Sequence, residues 1–345
     1  MLNQKGSRRQ FLKRTGVAIT SAGVVGSAGC LGDSDVTSVQ LGTATQGSGS
    51  YANGQALQRL IQEHSETVEI QALETPGGGA PNIRLYNDGE IVAGGCNSYD
   101  VINALEDTGQ FADDPVDEVP LQGYSYMILH MYWLAKPDSG IETTNDLPGS
   151  NVWVQPAGVG MRPPINALLE ATGLMDDMEV FEMDRSDVAG ALEEDRIDAI
   201  LAYGINYSSI PGYEVEVDSR IDLQAVEATD EFVEAIQDTP GVPHEHIEIY
   251  GRDQDVGADE THSWTQEYQW MFGRELSQDT VYEIARLSFE ENEFAREADE
   301  RFPEFEDPED MSFAYVEDWP FHPGVAEYWR EIGIWDEDTM IEGEL

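Results

Sequence analysis

The sequence predicts an α/β fold built as two lobes, each a parallel sheet covered by helices. Strand and helix signals alternate across residues 36–108 and alternate again across 151–202. Between the two sets, the apolar and aromatic run 121–135 is too long for an ordinary strand and can pass from one lobe into another. A length of 345 residues, 40% of them hydrophobic, suffices for two cores.

The elements follow in order. Residues 36–42 read as a strand, and 51–64 as a helix whose apolar positions include Leu57, Leu60 and Ile61. Residues 68–73 alternate apolar and polar, 80–88 are helical, 91–96 are apolar and extended, and 101–108 are helical again. The second set runs as strand 151–154, helix 163–172, strand 179–182, helix 187–195 and strand 197–202. A strongly periodic helix spans 279–300 through Val281, Ile284, Ala285, Leu287 and Ser288. The tail 321–333 holds a His-Pro-Gly turn, with His322 expected as a cap, and a short helix. There is no internal sequence repeat.

Charge excludes several functions. The chain has 68 acidic and 18 basic residues, a net of −50. From residue 31 onward only 13 basic residues remain, and Lys136 is the one lysine among them. Nucleic-acid binding needs Lys and Arg to displace counterions from phosphates, so it is excluded as a general activity. Docking on an anionic membrane through a basic patch is disfavoured for the same reason. An acidic excess with a steady supply of aromatics and aliphatics reads as a folded protein from a high-salt environment, where screening suppresses self-repulsion.

The N-terminus reads as an address. Ser7, Arg8, Arg9, Gln10, Phe11, Leu12 and Lys13 precede a short run of small apolar residues, 16–29, too short to span a bilayer. The Arg8-Arg9 pair has the form of a twin-arginine export signal, and Ser27-Ala28-Gly29-Cys30 resembles a lipobox with a lipid on Cys30. Residues 1–30 are therefore expected to be the signal and 31–36 a tether, leaving the protein anchored on the outer face of the cytoplasmic membrane. Cys96, the other cysteine, is expected to be a buried core thiol.

Three loops rich in glycine and hydroxyl residues follow strands, where open α/β sheets bind ligands at helix N-termini. The first contains Thr45, Gln46, Gly47, Ser48 and Tyr51, the second Thr75, Gly77, Gly78, Gly79 and Asn82, and the third Gln155, Gly158, Val159, Gly160 and Arg162. Glycine lets backbone approach a ligand, and free amides at a helix start attract an anion. None of these loops carries a P-loop or Rossmann fingerprint. Arg162 can fork onto a carboxylate, while Tyr51 and Tyr203 fit either the cleft or the core. His244-Glu245-His246 presents alternating imidazoles without a third ligand nearby in sequence, so no metal is expected.

Here the residues resemble the TAXI family of solute-binding proteins, the extracytoplasmic receptors of TRAP-type transporters. The resemblance rests on Gly42-Thr43 with the loop Gly47 to Tyr51 and Gly54, on Thr75, Gly77 to Gly79 and Asn82, and on Gly89-Glu90-Ile91 with Asn97, Ser98, Tyr99 and Asp100. It continues through Asp146-Leu147-Pro148-Gly149-Ser150-Asn151-Val152, Gly158-Val159-Gly160, Thr280 to Ile284, and His322-Pro323-Gly324-Val325-Ala326-Glu327-Tyr328. The second-lobe loop departs from the family's Gly-Ser-Gly-Thr, reading Gly158-Val159-Gly160-Met161, and Ser50 stands where a tyrosine is usual.

The resemblance implies a type II periplasmic-binding-protein fold, with crossings near 122–131 and 265–272. Lobe one would combine 37–125 with 273–345, and lobe two would be 126–272. It implies a monomeric receptor that captures glutamate, 2-oxoglutarate or a related small anion, Asn97 and Ser98 joining the loop residues, and delivers it to a TRAP-type permease. No catalysis and no cofactor are implied. An ABC-type binding protein of the same fold remains an alternative. A secreted hydrolase is a weaker one, since neither Gly-x-Ser-x-Gly nor His-Glu-x-x-His occurs.

Overall fold

The computed structural model describes residues 36–345. The twin-arginine pair, the lipobox with Cys30 and all of the tether but Val36 lie outside the described residues. Among the described residues there are ten strands: β1 (Thr37–Gly42), β2 (Val68–Leu73), β3 (Ala93–Asn97), β4 (Leu121–Ala135), β5 (Asn151–Trp153), β6 (Glu179–Val180), β7 (Ala199–Ile205), β8 (Gln224–Ala225), β9 (His244–Glu248) and β10 (Glu260–Phe272). The helices are α1 (Gly49–His64), α2 (Ala80–Asn87), α3 (Ser98–Leu105), α4 (Arg162–Ala171), α5 (Leu174–Asp177), α6 (Val188–Glu193), α7 (Gly212–Arg220), α8 (Asp230–Asp238), α9 (Gln278–Glu290), α10 (Asn292–Ala298) and α11 (Pro323–Ile332).

One sheet of order β2-β1-β3-β10-β4-β7-β5-β6 joins two lobes. In the first, β1 pairs in parallel with β2 and β3. In the second, β5 pairs in parallel with β6 and β7. Two antiparallel strands, β4 and β10, run side by side through both. The end of β10, Tyr268 to Phe272, pairs with β3, whereas the end of β4, Leu129 to Ala135, pairs with β7. The expected two-lobed α/β fold with crossing strands is therefore what forms. Every residue of β4 is buried, which explains why its run carries no polar face.

Helix starts follow their caps. Ser48, Thr229 and Ser277 each accept a backbone N–H at the start of α1, α8 and α9. Asn97 caps α3 by accepting the Asp100 N–H at 2.7 Å, so this helix begins three residues before the expected 101. The helix expected over 279–300 breaks at Glu291. There the buried Asn292 side chain turns to the following loop, donating to Pro303 O at 2.9 Å and accepting from Phe305 N. His322 caps α11 as expected. Its Nδ1 accepts from Gly324 N at 3.1 Å and its Nε2 faces Leu276 O at 3.2 Å, while burial lowers its pKa to about 4. Cys96 is a fully buried free thiol. Among the described residues no helix is long and apolar enough to cross a membrane.

Candidate functional site

A cleft of about 610 Å³ opens between the two lobes. Its floor is the crossing itself: Met127 and Leu129 of β4, Ile205 at the end of β7, and Tyr268 of β10. Its walls are loops that start helices. From the first lobe come Thr45 and Ser48 with Gly49 and Ser50 at the start of α1, and Gly77 and Gly78 before α2. From the second come Gly158, Val159, Gly160 and Met161 before α4, and Asp184, Arg185 and Ser186 after β6. Among the described residues, the amides of Gly77, Gly78, Gly158 and Gly160 have no protein acceptor. The loops before α2 and α4 thus bring free N–H groups to a space that the N-terminal end of α1 also lines.

The two lobes touch at this cleft. A Cβ on Gly160 would lie 2.3 Å from Gly78 O, so only glycine permits this approach. Behind the first wall, Asn82 is buried and donates to Gly42, Thr43 and Gly95 carbonyls at 2.8 to 3.2 Å, fixing the end of β1 and the middle of β3 to α2. Gly79 has φ 126°, and a Cβ there would strike the Asp100 carboxylate. Asp100 accepts from Ala80 N, Asn97 and Gln110, yet its burial raises its pKa to about 6.

Charge at the site is concentrated on Arg185. Among residues 36–345 every lysine and arginine except Arg59 and Arg185 forms an ion pair with a described residue. Arg59 is exposed, whereas Arg185 is half-buried and lines the cleft. The Arg185 guanidinium lies over the Tyr213 ring at 5.7 Å and faces Gln155 Oε1 at 3.4 Å. The nearby buried Glu214 is taken up by Arg252, Tyr213 Oη and Tyr203 N, which leaves Arg185 no carboxylate of its own.

The model of the family described as NMT1-like matches residues 41–333. The chain belongs to the NMT1-like family. Comparison with curated proteins found no match. Among solved structures, this NMT1-like chain is similar to the periplasmic aliphatic sulphonate binding protein SsuA from Escherichia coli. The identity is 16% and the TM-score 0.40, over 76% of this chain and 78% of that one. It is similar to a putative L-cystine ABC transporter protein from Listeria monocytogenes at 12% identity and TM-score 0.43, over 80% and 100%. It is also similar to a TRAP periplasmic solute-binding protein from Sulfitobacter sp. NAS-14.1 with bound β-D-galacturonate, at 11% and 0.41, over 77% and 83%.

In this NMT1-like chain the cleft gathers Thr45, Ser48, Gly77, Gly78, Gly158, Val159, Gly160 and Tyr203 from the residues singled out in the sequence. Others stand elsewhere. Thr75, Asn82, Asn97 and Ser98 are buried and bonded to backbone or to Asp100 behind the wall. Gln46 N donates to Glu74, and Gly47 and Tyr51 line a separate cavity of about 230 Å³ with Arg59 and Arg301. Gln155 is buried at φ 79°, donating to Leu201 O and Tyr213 Oη. Arg162 faces a neighbouring cavity, where it donates to Gln155 O at 2.6 Å and to Glu182 at 2.8 Å. Its guanidinium holds Glu182 below the usual carboxylate range.

The sequence reading missed Arg185 because it searched for glycine, and Asp184-Arg185-Ser186-Asp187 has none. The available signal was position: this segment follows the second strand of its lobe, as the Gly77 loop does in the other lobe. The structure also brings His262 of β10 beside His244 and His246, with His244 Nε2 2.9 Å from His262 Nδ1. Among the described residues no group of three is arranged to hold a metal ion.

Proposed function

We propose that this protein is an extracytoplasmic solute-binding receptor of the TAXI type, which captures a small organic anion between its lobes and delivers it to a TRAP-type permease. The observation that carries the reading is Arg185, a half-buried and unpaired guanidinium facing a cleft walled by both lobes, in a chain of net −50. A buried cation without a partner is costly, and an anionic ligand removes that cost. The amides of Gly77, Gly78, Gly158 and Gly160 add donors from opposite sides, so the ligand prefers the closed state. Arg162, already engaged, supports the loop instead of holding the ligand.

Lobe one is assigned to 37–125 with 273–345 and lobe two to 126–272. The pairing of Tyr268–Phe272 with β3 supports moving the second boundary back to about 268. The protein acts as a monomer without a cofactor and catalyses nothing. Export uses the twin-arginine route and the anchor is a lipid on Cys30. Cys30→Ser then releases the protein into the medium, and retention of that variant at the membrane refutes the anchor.

Calorimetry in molar KCl against a panel of carboxylates tests the site. A charge-assisted hydrogen bond contributes about 1.5–3 kcal/mol, so Arg185→Ala weakens binding roughly ten- to a hundredfold. Arg162→Ala keeps the affinity within about threefold but lowers stability by about 1–3 kcal/mol, since Gln155 O and Asn166 lose their donor. Unchanged binding by Arg185→Ala, or heat from a neutral sugar where no anion gives any, overturns the proposal.

A further inference from the structure

We infer that the solute carries one anionic group on an apolar body, so that acids with two separated charges are the poorer ligands. This rests on the anion-receptor reading above and narrows it. Arg185 is the one lysine or arginine lining the cleft, and its chain neighbour Asp184 lines it too. The formal charge of the lining is therefore zero before a ligand enters. One anionic group can still pair directly with the Arg185 guanidinium, while a second finds no second cation in a lining that already includes the Asp184 carboxylate.

Much of the rest of the lining, the floor above all, is apolar or aromatic. Met127, Leu129 and Ile205 form the floor, and Met161, Tyr203 and Tyr268 line the same cleft as the guanidinium. Arg185 Nη2 lies 3.8 Å from Met161 Sδ, so the cation sits at the edge of this apolar patch. An anionic head on Arg185 sets whatever it carries against that patch. An apolar tail gains about 0.8 kcal/mol for each CH₂ it buries there, and a carboxylate tail loses hydration instead. The glycine amides and the hydroxyls of Thr45 and Ser186 remain for neutral acceptors on the ligand. A volume of about 610 Å³ is in the range that encloses a drug-sized ligand and is large for a four- or five-carbon diacid.

Hexanoate and adipate test this, because they share chain length and differ in one end. Titrated calorimetrically into the protein in molar KCl, hexanoate is expected to bind at least tenfold tighter than adipate. Met127→Ala is expected to weaken hexanoate three- to tenfold, with circular dichroism checking that the variant is folded. Adipate binding as tightly as hexanoate, or tighter, with loss in Arg185→Ala, overturns the inference and leaves the receptor reading standing. 2-Aminohexanoate binding tighter than hexanoate, with that gain lost in Asp184→Asn, also overturns it, because the ligand is then a zwitterion. Should neither hexanoate nor adipate, nor any other carboxylate of the panel, bind the folded protein, the receptor reading fails and the inference with it.

Discussion

Arg162, at the start of α4, and Arg185, after β6, both belong to the second lobe, and the free energy of each is set by what it touches. Arg162 is satisfied by a carbonyl and by Glu182, so it stiffens the loop before α4. Arg185 has ring faces and an amide oxygen but no carboxylate, so its charge is available. A second residue-scale feature lies on the opposite face of the crossing strands. Glu267 of β10 is largely buried beside Glu245, and burial first, then that neighbouring charge, pushes its pKa up to about 8. Glu245 is itself bonded to the buried His130 and to Tyr207. The native state thus holds a proton that the unfolded chain releases near the ordinary value of 4.5. The contribution of this carboxyl is complete below the unfolded pKa and is lost as pH rises through about 8. Glu267→Gln is expected to remove that part of the pH dependence, worth up to a few kcal/mol. Thermal melts at pH 5 and pH 9 in constant molar salt read it. The wild type should lose more stability between the two than the variant, and parallel losses refute the assignment.

At the scale of elements, the loops before α2 and α4 meet through Gly78 and Gly160. Gly160→Ala puts a methyl where Gly78 O stands, and the loops must separate. Affinity for the anion is expected to fall at least fivefold, with a larger radius of gyration by scattering in the presence of ligand. Gly158→Ala is the control. It has φ 85° and open space around it, so it costs backbone strain without wedging the lobes. Equal effects of the two substitutions refute the wedge. The crossing itself is tied by Asn206 at the end of β7, which has φ 49°. Its side chain accepts from Ile128 N at 2.7 Å and donates to Arg301 O at 2.8 Å, joining β4, β7 and the loop after α10.

At the scale of the molecule, the full chain carries a net charge of −50 and its residues 36–345 form one compact unit, so self-repulsion is the term that salt controls. The Debye length is about 10 Å at 0.1 M and about 3 Å at 1 M. Exposed ion pairs such as Arg84 with Asp114 and Arg330 with Glu337 contribute little against it. The protein is therefore expected to lose its fold in dilute buffer and to regain it above roughly molar KCl. Circular dichroism across a KCl series measures this, and full native structure at about 10 mM salt, where the Debye length is about 30 Å, refutes it.

Periodicity and loop chemistry are local, and the sequence alone determined what depends on them. It placed β2 within its bounds, identified 121–135 as the strand that crosses lobes, and located the glycine loops before α1, α2 and α4 at the cleft. It fell short across 212–264, where α7 and α8 are short helices and β9 pairs only with the start of β10 at the edge of the sheet. It also could not tell which arginine the fold would leave without a carboxylate partner. Whether a guanidinium is free depends on which carboxylates the fold brings within reach. Glu182 reaches Arg162 across the β5–β6 connection, and Glu214 turns to Arg252 instead of Arg185. Those distances arise from strand pairing between residues far apart in the chain, so the residue types of the site were written in the sequence and the assignment of its charge was made by the tertiary structure.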